Sequence, residues 1–191
     1  MLESVETSNS EQDLIRRVIA GDREAFGEIY ANNLDAIFRF IYFRIGDLRD
    51  AEDITEQVFF RAWQAFPAYQ QNGAALSCWL YRIAHNLIID YHRHNQKDAS
   101  FSLDERERSA PLEVNLLADV IHSEEITALT RAIAKLNEDQ QQVIILRFVE
   151  GLSHPEIAHI LEKSEGACRM LQTRALIALQ RLLSDTQGSL K

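Results

Sequence analysis

The chain has little of what builds β-sheets, disulfide scaffolds or metal sites. Its 191 residues include only seven glycines, three prolines and two cysteines. Because helix breakers are rare and long stretches follow a 3.6-residue hydrophobic period, the sequence predicts an all-α protein. Cys78 and Cys168 lie far apart without Cys-x-x-Cys spacing. That spacing favours two buried thiols over a disulfide or a zinc site.

Long apolar runs and catalytic motifs are also missing. No run approaches the roughly 18 apolar residues of a membrane span, and the start, MLESVETSNSEQD, is polar and acidic where a signal peptide is basic and then apolar. We find no Gly-rich phosphate loop, no H-E-x-x-H and no nucleophile motif, and the histidine spacings do not suit a metal. We therefore expect a cytoplasmic, non-enzymatic protein without cofactor or metal.

Positive charge is scarce. The formal net charge is -9, and seven acidic but only two basic side chains fall within residues 98–124. Affinity for DNA comes largely from Lys and Arg, so an acidic chain is a poor general DNA binder. Any locally basic face on this acidic body therefore indicates a protein that binds nucleic acid weakly alone and better with a partner.

Composition divides the chain into two small helical domains and a linker. Residues 1–10 predict a disordered polar tail, 11–97 a helical bundle, 98–124 a flexible acidic linker, 125–184 a second helical domain and 185–191 a tail. In the first domain, the breaks Gly21-Asp22 and Gly46-Asp47 separate helices, and Pro67 closes an amphipathic helix predicted over 50–66.

The helical stretch WLYRIAHNLIIDYHRHNQK has an apolar face and a mixed face. Leu80, Ile83, Ala84, Leu87 and Tyr91 form the predicted core stripe. The opposite face carries Trp79, Arg82, Asn86, Arg93 and Lys97. Aromatic rings stack on bases while Arg and Lys meet phosphates, so this face suits single-stranded nucleic acid. A solvated face whose Trp caps the core has equal weight from periodicity alone.

The C-terminal region has a helix-turn-helix pattern. Ser153 and Glu156 form a capping box with Pro155 in the first turn, Glu162 occupies the turn, and Ser164 caps the next helix. The turn residue needs a positive φ, which costs a non-glycine residue roughly 1 kcal/mol.

The second helix of this pattern would read the major groove of duplex DNA. Its predicted buried stripe is Cys168, Leu171, Ala175, Leu179 and Leu182. Its exposed face begins with Arg169, Met170, Thr173 and Arg174. Arg can bond guanine or phosphate, and Met and Thr can contact a thymine methyl. The alternative is a helical hairpin used only for packing.

Three segments in this order resemble the extracytoplasmic-function (ECF) sigma factors of the sigma-70 family. DAEDITEQVFFRAW looks like the polymerase-binding segment and WLYRIAHNLIIDYHR like the minus-ten recognition helix. LNEDQQQVIILRFVEGLSHPEIAHIL with SEGACRMLQTRAL looks like the minus-thirty-five domain. The resemblance covers residues 12–184. It implies a sigma factor that binds core RNA polymerase and promoter DNA, both duplex and single-stranded.

The resemblance also implies residue roles at the polymerase. Asp53, Gln57, Phe60 and Arg61 would contact the clamp of the largest polymerase subunit. A solvated charged face is the alternative that spacing does not reject. The flap would be a further polymerase contact, and an anti-sigma factor that hides both binding faces would be the regulator.

For promoter DNA, the resemblance assigns the minus-ten element to Arg82, Asn86, Asp90 and Arg93. Asn86 would line a pocket for a flipped base, residues 69–77 would close over that base, and Arg82 and Arg93 would hold the strand. Two roles stay open for Asp90, which can pair with Arg93 or shape base preference.

Arg169, Met170, Thr173 and Arg174 would bind the minus-thirty-five element. Leu171 stands where the family usually has a third basic residue, which weakens the expected phosphate grip there. The rival interpretation of the whole chain is a stand-alone helix-turn-helix transcriptional regulator whose front bundle senses a ligand or dimerises.

Overall fold

The structure is a computed structural model that describes residues 3–70, 74–98, 129 and 131–188. As predicted, all regular secondary structure in these residues is helical. The helices with both ends in the described residues are α1 (Glu3–Ile19), α2 (Arg23–Ile45), α3 (Leu48–Ala65), α4 (Leu76–Asp98), α5 (Glu138–Ile144), α6 (His154–Leu161) and α7 (Glu165–Gly188). Residues 131–134, before α5, are helical as well. A 3₁₀ turn, Phe66–Ala68, follows α3, and a π-helical turn, Ile145–Val149, extends α5. Within the described ranges, no helix is long and apolar enough to span a membrane.

The two predicted Gly-Asp breaks end one helix and begin the next. Gly46 ends α2 in the left-handed conformation, with φ 77°. Asp22 accepts hydrogen bonds from the backbone N–H groups of Glu24 and Ala25 at 2.9 and 3.1 Å, and Asp47 accepts from that of Asp50 at 3.0 Å. These aspartates satisfy backbone donors that the first turn of a helix leaves free.

The first domain consists of α1 to α4 packed around an aromatic and aliphatic core. α3 packs against both α2 and α4, while α1 packs on α2. The largest fully buried side chains here include Phe40, Phe66, Ile37, Leu80 and Ile88. This packing fixes which faces of α3 and α4 remain available to partners.

Several predicted boundaries differ from the structure. α1 begins at Glu3, so residues 3–10 are helical where a disordered tail was predicted. No Gly or Pro interrupts this stretch, and the helix that buries Leu14 and Ile15 continues through it. α7 likewise continues to Gly188, through residues predicted as tail. The predicted linker lies outside the described residues except for Asp98, the last residue of α4.

The second domain contains the predicted helix-turn-helix. The capping box is present: the Ser153 N–H donates to Glu156 at 2.7 Å, and the Ser153 hydroxyl accepts from the Glu156 N–H. Glu162 has φ 53°, the positive value predicted for the turn. Ser164 then caps α7 by accepting from the Ala167 N–H at 3.2 Å. α6 and α7 thus form the predicted motif.

The two domains pack against each other, chiefly through α4 and α6. One continuous hydrophobic cluster includes Leu80 and Tyr81 of α4 together with Ile157 and Leu161 of α6. A smaller cluster, in which Ala175 and Leu179 take part, lies beneath α7. The shared cluster makes the inner side of α4 an interdomain surface as well as part of the first domain's core.

Candidate polymerase- and DNA-binding surfaces

The predicted polymerase residues lie together on the outer face of α3. Asp53, Gln57, Phe60 and Arg61 are all exposed, whereas the opposite face of the helix is buried in the core. Phe60 is 61% exposed, an unusual position for a phenylalanine. Exposed aromatic rings flanked by charged groups mark sites of protein association. The geometry therefore suits docking to another protein and leaves the specific role assigned to each residue a prediction.

The predicted minus-ten residues lie along α4 and differ in their surroundings. Asn86 and Arg93 are exposed. The Asp90 carboxylate lies 3.9 Å from Arg93, a loose and exposed ion pair one turn apart. Arg82 differs from the others because Glu162 of the second domain forms an ion pair with its guanidinium. Asn86 and Arg93 are thus open to solvent, whereas the guanidinium of Arg82 is engaged by the second domain while its side chain stays 40% exposed.

Trp79 contributes to packing beside a cavity. Its ring centroid lies 4.7 Å from that of Tyr69 and 5.6 Å from that of Phe66. Next to these rings is a cavity of about 230 Å³ whose lining includes Tyr69, Trp79, Arg82 and, from the second domain, His159. Its lining does not include Asn86, within the part of the chain that the structure describes. The α4 residues that line the cavity, Trp79 and Arg82, lie about two turns and one turn before Asn86, the residue assigned to the base pocket.

A stripe on α4 that coincides with neither of its two predicted faces lies against the second domain. It comprises Cys78, Tyr81, Arg82 and His85, spaced three, four and seven residues after the first. Burial raises the pKa of the Cys78 thiol to about 11. Burial and the nearby Arg44 lower the pKa of His85. The spacing is helical, but the mixture of residue types gives no hydrophobic signal.

Glu150 of the second domain contacts two helices of the first domain at this interface. It is the residue after the π-helical turn, and its side chain is only 3% exposed. Arg39 of α2 donates to it twice, from Nε at 2.9 Å and from Nη2 at 2.8 Å, and the Tyr81 hydroxyl donates at 2.9 Å. Burial raises the pKa of Tyr81, and the hydrogen bond to Glu150 raises the pKa of Arg39. A buried carboxylate that accepts three hydrogen bonds, two of them from a charged guanidinium, binds its donors strongly.

The four residues predicted to contact duplex DNA all lie on the surface of α7. Arg169, Met170, Thr173 and Arg174 are exposed on the first turns of α7. Arg169 forms an ion pair with Glu165 at 3.4 Å, and the Thr173 hydroxyl donates to the Arg169 carbonyl at 3.0 Å. Leu171 is half-buried against the core, so it contributes packing where a basic residue would contact phosphate.

No group of three or more His, Cys, Asp and Glu residues able to hold a metal ion occurs within the described ranges. Both cysteines are free and buried, as their spacing predicted.

These features define a two-domain helical protein. It has an exposed aromatic residue on α3, an amide and basic face on α4 suited to single-stranded nucleic acid, and a helix-turn-helix formed by α6 and α7. Family models match both parts: Sigma-70 region 2 over residues 29–98, and Sigma-70, region 4 over residues 126–179. The chain is 31% identical over 181 residues to the ECF RNA polymerase sigma factor SigW of Bacillus subtilis, spanning 90% of this chain and 95% of SigW. The chain belongs to the ECF sigma factors of the sigma-70 family.

A second relative is the ECF RNA polymerase sigma factor BldN of Streptomyces coelicolor. It is 35% identical over 173 residues, which are 91% of this chain and 66% of BldN. The chain thus spans just under two thirds of the length of BldN.

Two solved structures share the fold. CnrH in complex with the cytosolic domain of CnrY has a TM-score of 0.70 at 24% identity, covering 92% of this chain and 98% of CnrH. The sigma factor RpoE of Bartonella quintana, in complex with the anti-sigma factor NepR, has a TM-score of 0.73 at 23% identity, covering 83% of this chain and 96% of RpoE.

Proposed function

We propose that the chain recruits core RNA polymerase through α3, binds the minus-ten element as a single strand through α4, and binds the minus-thirty-five duplex through α7. The observation that carries this proposal is the presence of both sigma-70 regions, in order, within one chain. Each region also has an exposed face of suitable chemistry: aromatic on α3, amide and basic on α4, and basic at the start of α7.

On this proposal, promoter melting is a binding process, and the protein is not an enzyme. Extruding a base from the duplex costs a few kcal/mol. Stacking and phosphate contacts can return about 1 to 3 kcal/mol per base. Asn86, Arg82 and Arg93 would supply polar and cationic contacts, and no bond needs to be made or broken. We place this activity in the bacterial cytoplasm, where polymerase and chromosome meet.

An anti-sigma factor is the proposed regulator. Support comes from the shared fold of the sigma factor RpoE, which was solved with its anti-sigma factor NepR. Such a partner would act here by covering the exposed face of α3 together with α4.

A run-off transcription assay tests the proposed function. Purified protein and core RNA polymerase are incubated with fragmented genomic DNA, and transcript starts are sequenced. We expect specific starts only when both proteins are present, because an acidic chain binds duplex DNA weakly by itself. Tight, sequence-specific duplex binding without polymerase, and no new transcript starts with it, would instead support the stand-alone regulator.

A further inference from the structure

The interface between the domains pairs arginines of the first domain with carboxylates of the second. Arg39 is held by Glu150 through two hydrogen bonds of 2.9 and 2.8 Å, and Arg82 is held by Glu162. A guanidinium binds a carboxylate and a phosphate through the same planar array of donors. The two glutamates thus occupy donors that could otherwise hold phosphates.

Arg44 is a third cation on the covered side, and its own hydrogen bonding is incomplete. It is 6% exposed and donates to the Gln141 side chain and, at 3.2 Å, to the Glu138 carbonyl. Its Nε and Nη2 atoms have no hydrogen-bond partner among the described residues. A buried guanidinium with spare donors is costly, and burial lowers the pKa of Arg44 to about 10. The second domain therefore covers the Arg44 guanidinium but leaves two of its three nitrogen atoms without a hydrogen-bond acceptor among the described residues.

The aromatic cavity beside Arg82 adds a site for a base. Its rings, Tyr69 and Trp79, come from the first domain, while His159 of α6 contributes to its lining. An aromatic slot next to a guanidinium is the arrangement that binds a single-stranded nucleotide, with the base on the rings and the phosphate on the cation. An acidic peptide could bind the arginines, but it has no base to stack on the rings of the cavity.

We propose that Arg39 and Arg44 extend the single-strand-binding face of the first domain beyond Arg82, and that Glu150 and Glu162 mask this face while the domains are packed together. The inference rests on the proposed function, since it deepens how α4 meets a DNA strand. Opening of the domains exposes the arginines and the cavity together.

The test measures binding of a fluorescein-labelled single-stranded DNA of about 12 nucleotides by fluorescence anisotropy, without polymerase. The unmasking variant is Glu150→Gln/Glu162→Asn. Asn suits position 162 because it tolerates the positive φ of that turn better than most residues. The matched control is Glu52→Gln/Glu56→Gln, which removes the same charge from exposed positions on α3.

We expect the unmasking variant to bind about tenfold or more tightly than the native chain, because the apparent dissociation constant falls as the competent open fraction rises. The control should change affinity much less. Adding Arg39→Gln or Arg44→Gln to the unmasking variant should reverse part of the gain and reduce the slope of log affinity against log salt by about 0.7 each.

Two results would overturn the proposal. An unmasking variant that binds no better than the control shows that the glutamates do not mask a DNA site. A gain that survives both arginine substitutions places the DNA elsewhere. Glu162→Asn alone keeps the test informative if the double variant fails to fold, because Glu162 is 63% exposed and lies outside the core. Since the assay contains no polymerase, either result is separate from the run-off outcome that tests the proposed function.

Discussion

Arg39 and Glu150 are 111 residues apart in the chain, yet they form the most enclosed ion pair described between the two domains. Arg39 projects from the second helix of the first domain, and Glu150 follows the π-helical turn of the second. The Tyr81 hydroxyl joins them from α4. Because the Glu150 carboxylate accepts hydrogen bonds from two helices of the first domain, we expect it to stabilise the packing of the domains.

Glu150→Ala should loosen the second domain from the first. Hydrogen bonds to charged groups contribute about 1.5 to 3 kcal/mol each, and the partial exposure of Arg39 places the expected loss near the lower end, at about 2 kcal/mol. Urea unfolding is followed by far-UV circular dichroism and by tryptophan fluorescence, since Trp63 and Trp79 both lie in the first domain. We expect the circular dichroism midpoint to fall and to separate from the fluorescence midpoint.

Glu52→Ala is the control for this experiment, because Glu52 is exposed on α3 and makes no interdomain ion pair among the described residues. Coincident, unchanged midpoints in Glu150→Ala would contradict the role given to Glu150.

We expect His85 to make the folded protein less stable in acid. Burial and Arg44 lower its pKa below 6.5, Lys163 acts in the same direction, and Asp139 and Glu162 oppose them. The neutral imidazole is therefore favoured in the folded protein. Its contribution is fully present above pH 6.5 and is lost as the pH falls through 6.5 towards the lower folded value, by at most about 1.4 kcal/mol per pH unit.

Unfolding midpoints from pH 7.5 down to 5.5 measure this effect. His85→Gln should flatten the pH dependence, whereas His94→Gln, at an exposed position near the end of α4, should leave it unchanged. Equal pH dependence in the native chain and His85→Gln would rule out His85 as the source.

Phe60→Ala should weaken binding to core polymerase without unfolding the protein. Aromatic residues at the centre of an interface typically contribute 2 kcal/mol or more, so we expect a dissociation constant raised by about 30-fold. The ring is mostly exposed, so thermal stability should not change. Binding to immobilised core enzyme provides the measurement, with Asn32→Ala, exposed on α2, as control. Native affinity in Phe60→Ala would remove this ring from the proposed docking site.

Asn86→Ala should reduce selectivity for the minus-ten element while core binding stays intact. Asn86 is exposed, so the substitution removes an amide without leaving a cavity. Open-complex formation on promoters that vary only in the minus-ten element is the measurement, and Asn32→Ala, exposed on α2, is the control. Unchanged selectivity would exclude Asn86 from the base pocket and direct attention to the cavity beside Tyr69 and Trp79.

Arg169→Ala and Arg174→Ala should each weaken binding to the minus-thirty-five duplex. A bidentate contact to a base is worth about 1 to 3 kcal/mol and relaxes specificity at one position, whereas a phosphate contact weakens all sequences equally. Holoenzyme binding to duplexes with single substitutions distinguishes these cases. Arg181→Ala, exposed further along α7, is the control. If both variants bind like the native holoenzyme, α7 is not the reading helix.

Local chemistry explains why much of this architecture is predictable. Asp22, Asp47 and Ser153 each satisfy backbone donors within three residues of themselves, so the sequence is enough to locate helix starts. The positive φ of Glu162 follows equally from its position between two helical patterns. The start of α1 was less predictable, because a polar stretch without Gly or Pro can extend a helix or remain outside it.

The interdomain contacts could not be predicted in the same way. Tyr81 lies outside the core stripe predicted for α4, yet it is buried, and its hydrogen-bond partner Glu150 lies 69 residues away, where no local pattern can reveal it. Arg82 was assigned to DNA by its helical face, and only the packed domains show that Glu162 meets it first. Periodicity tells which residues share a face, but it carries no information about what covers that face.

The sequence by itself determined the helical class, the division into two domains, the capping box at Ser153 and the exposed faces of α3 and α7, because these depend on spacings of a few residues. Tertiary structure alone decided that Arg39, Arg44 and Arg82 contact the second domain. Their partners come from the far side of the linker, and ion pairs between distant residues form only after hydrophobic packing of α4 on α6 has brought the two domains together.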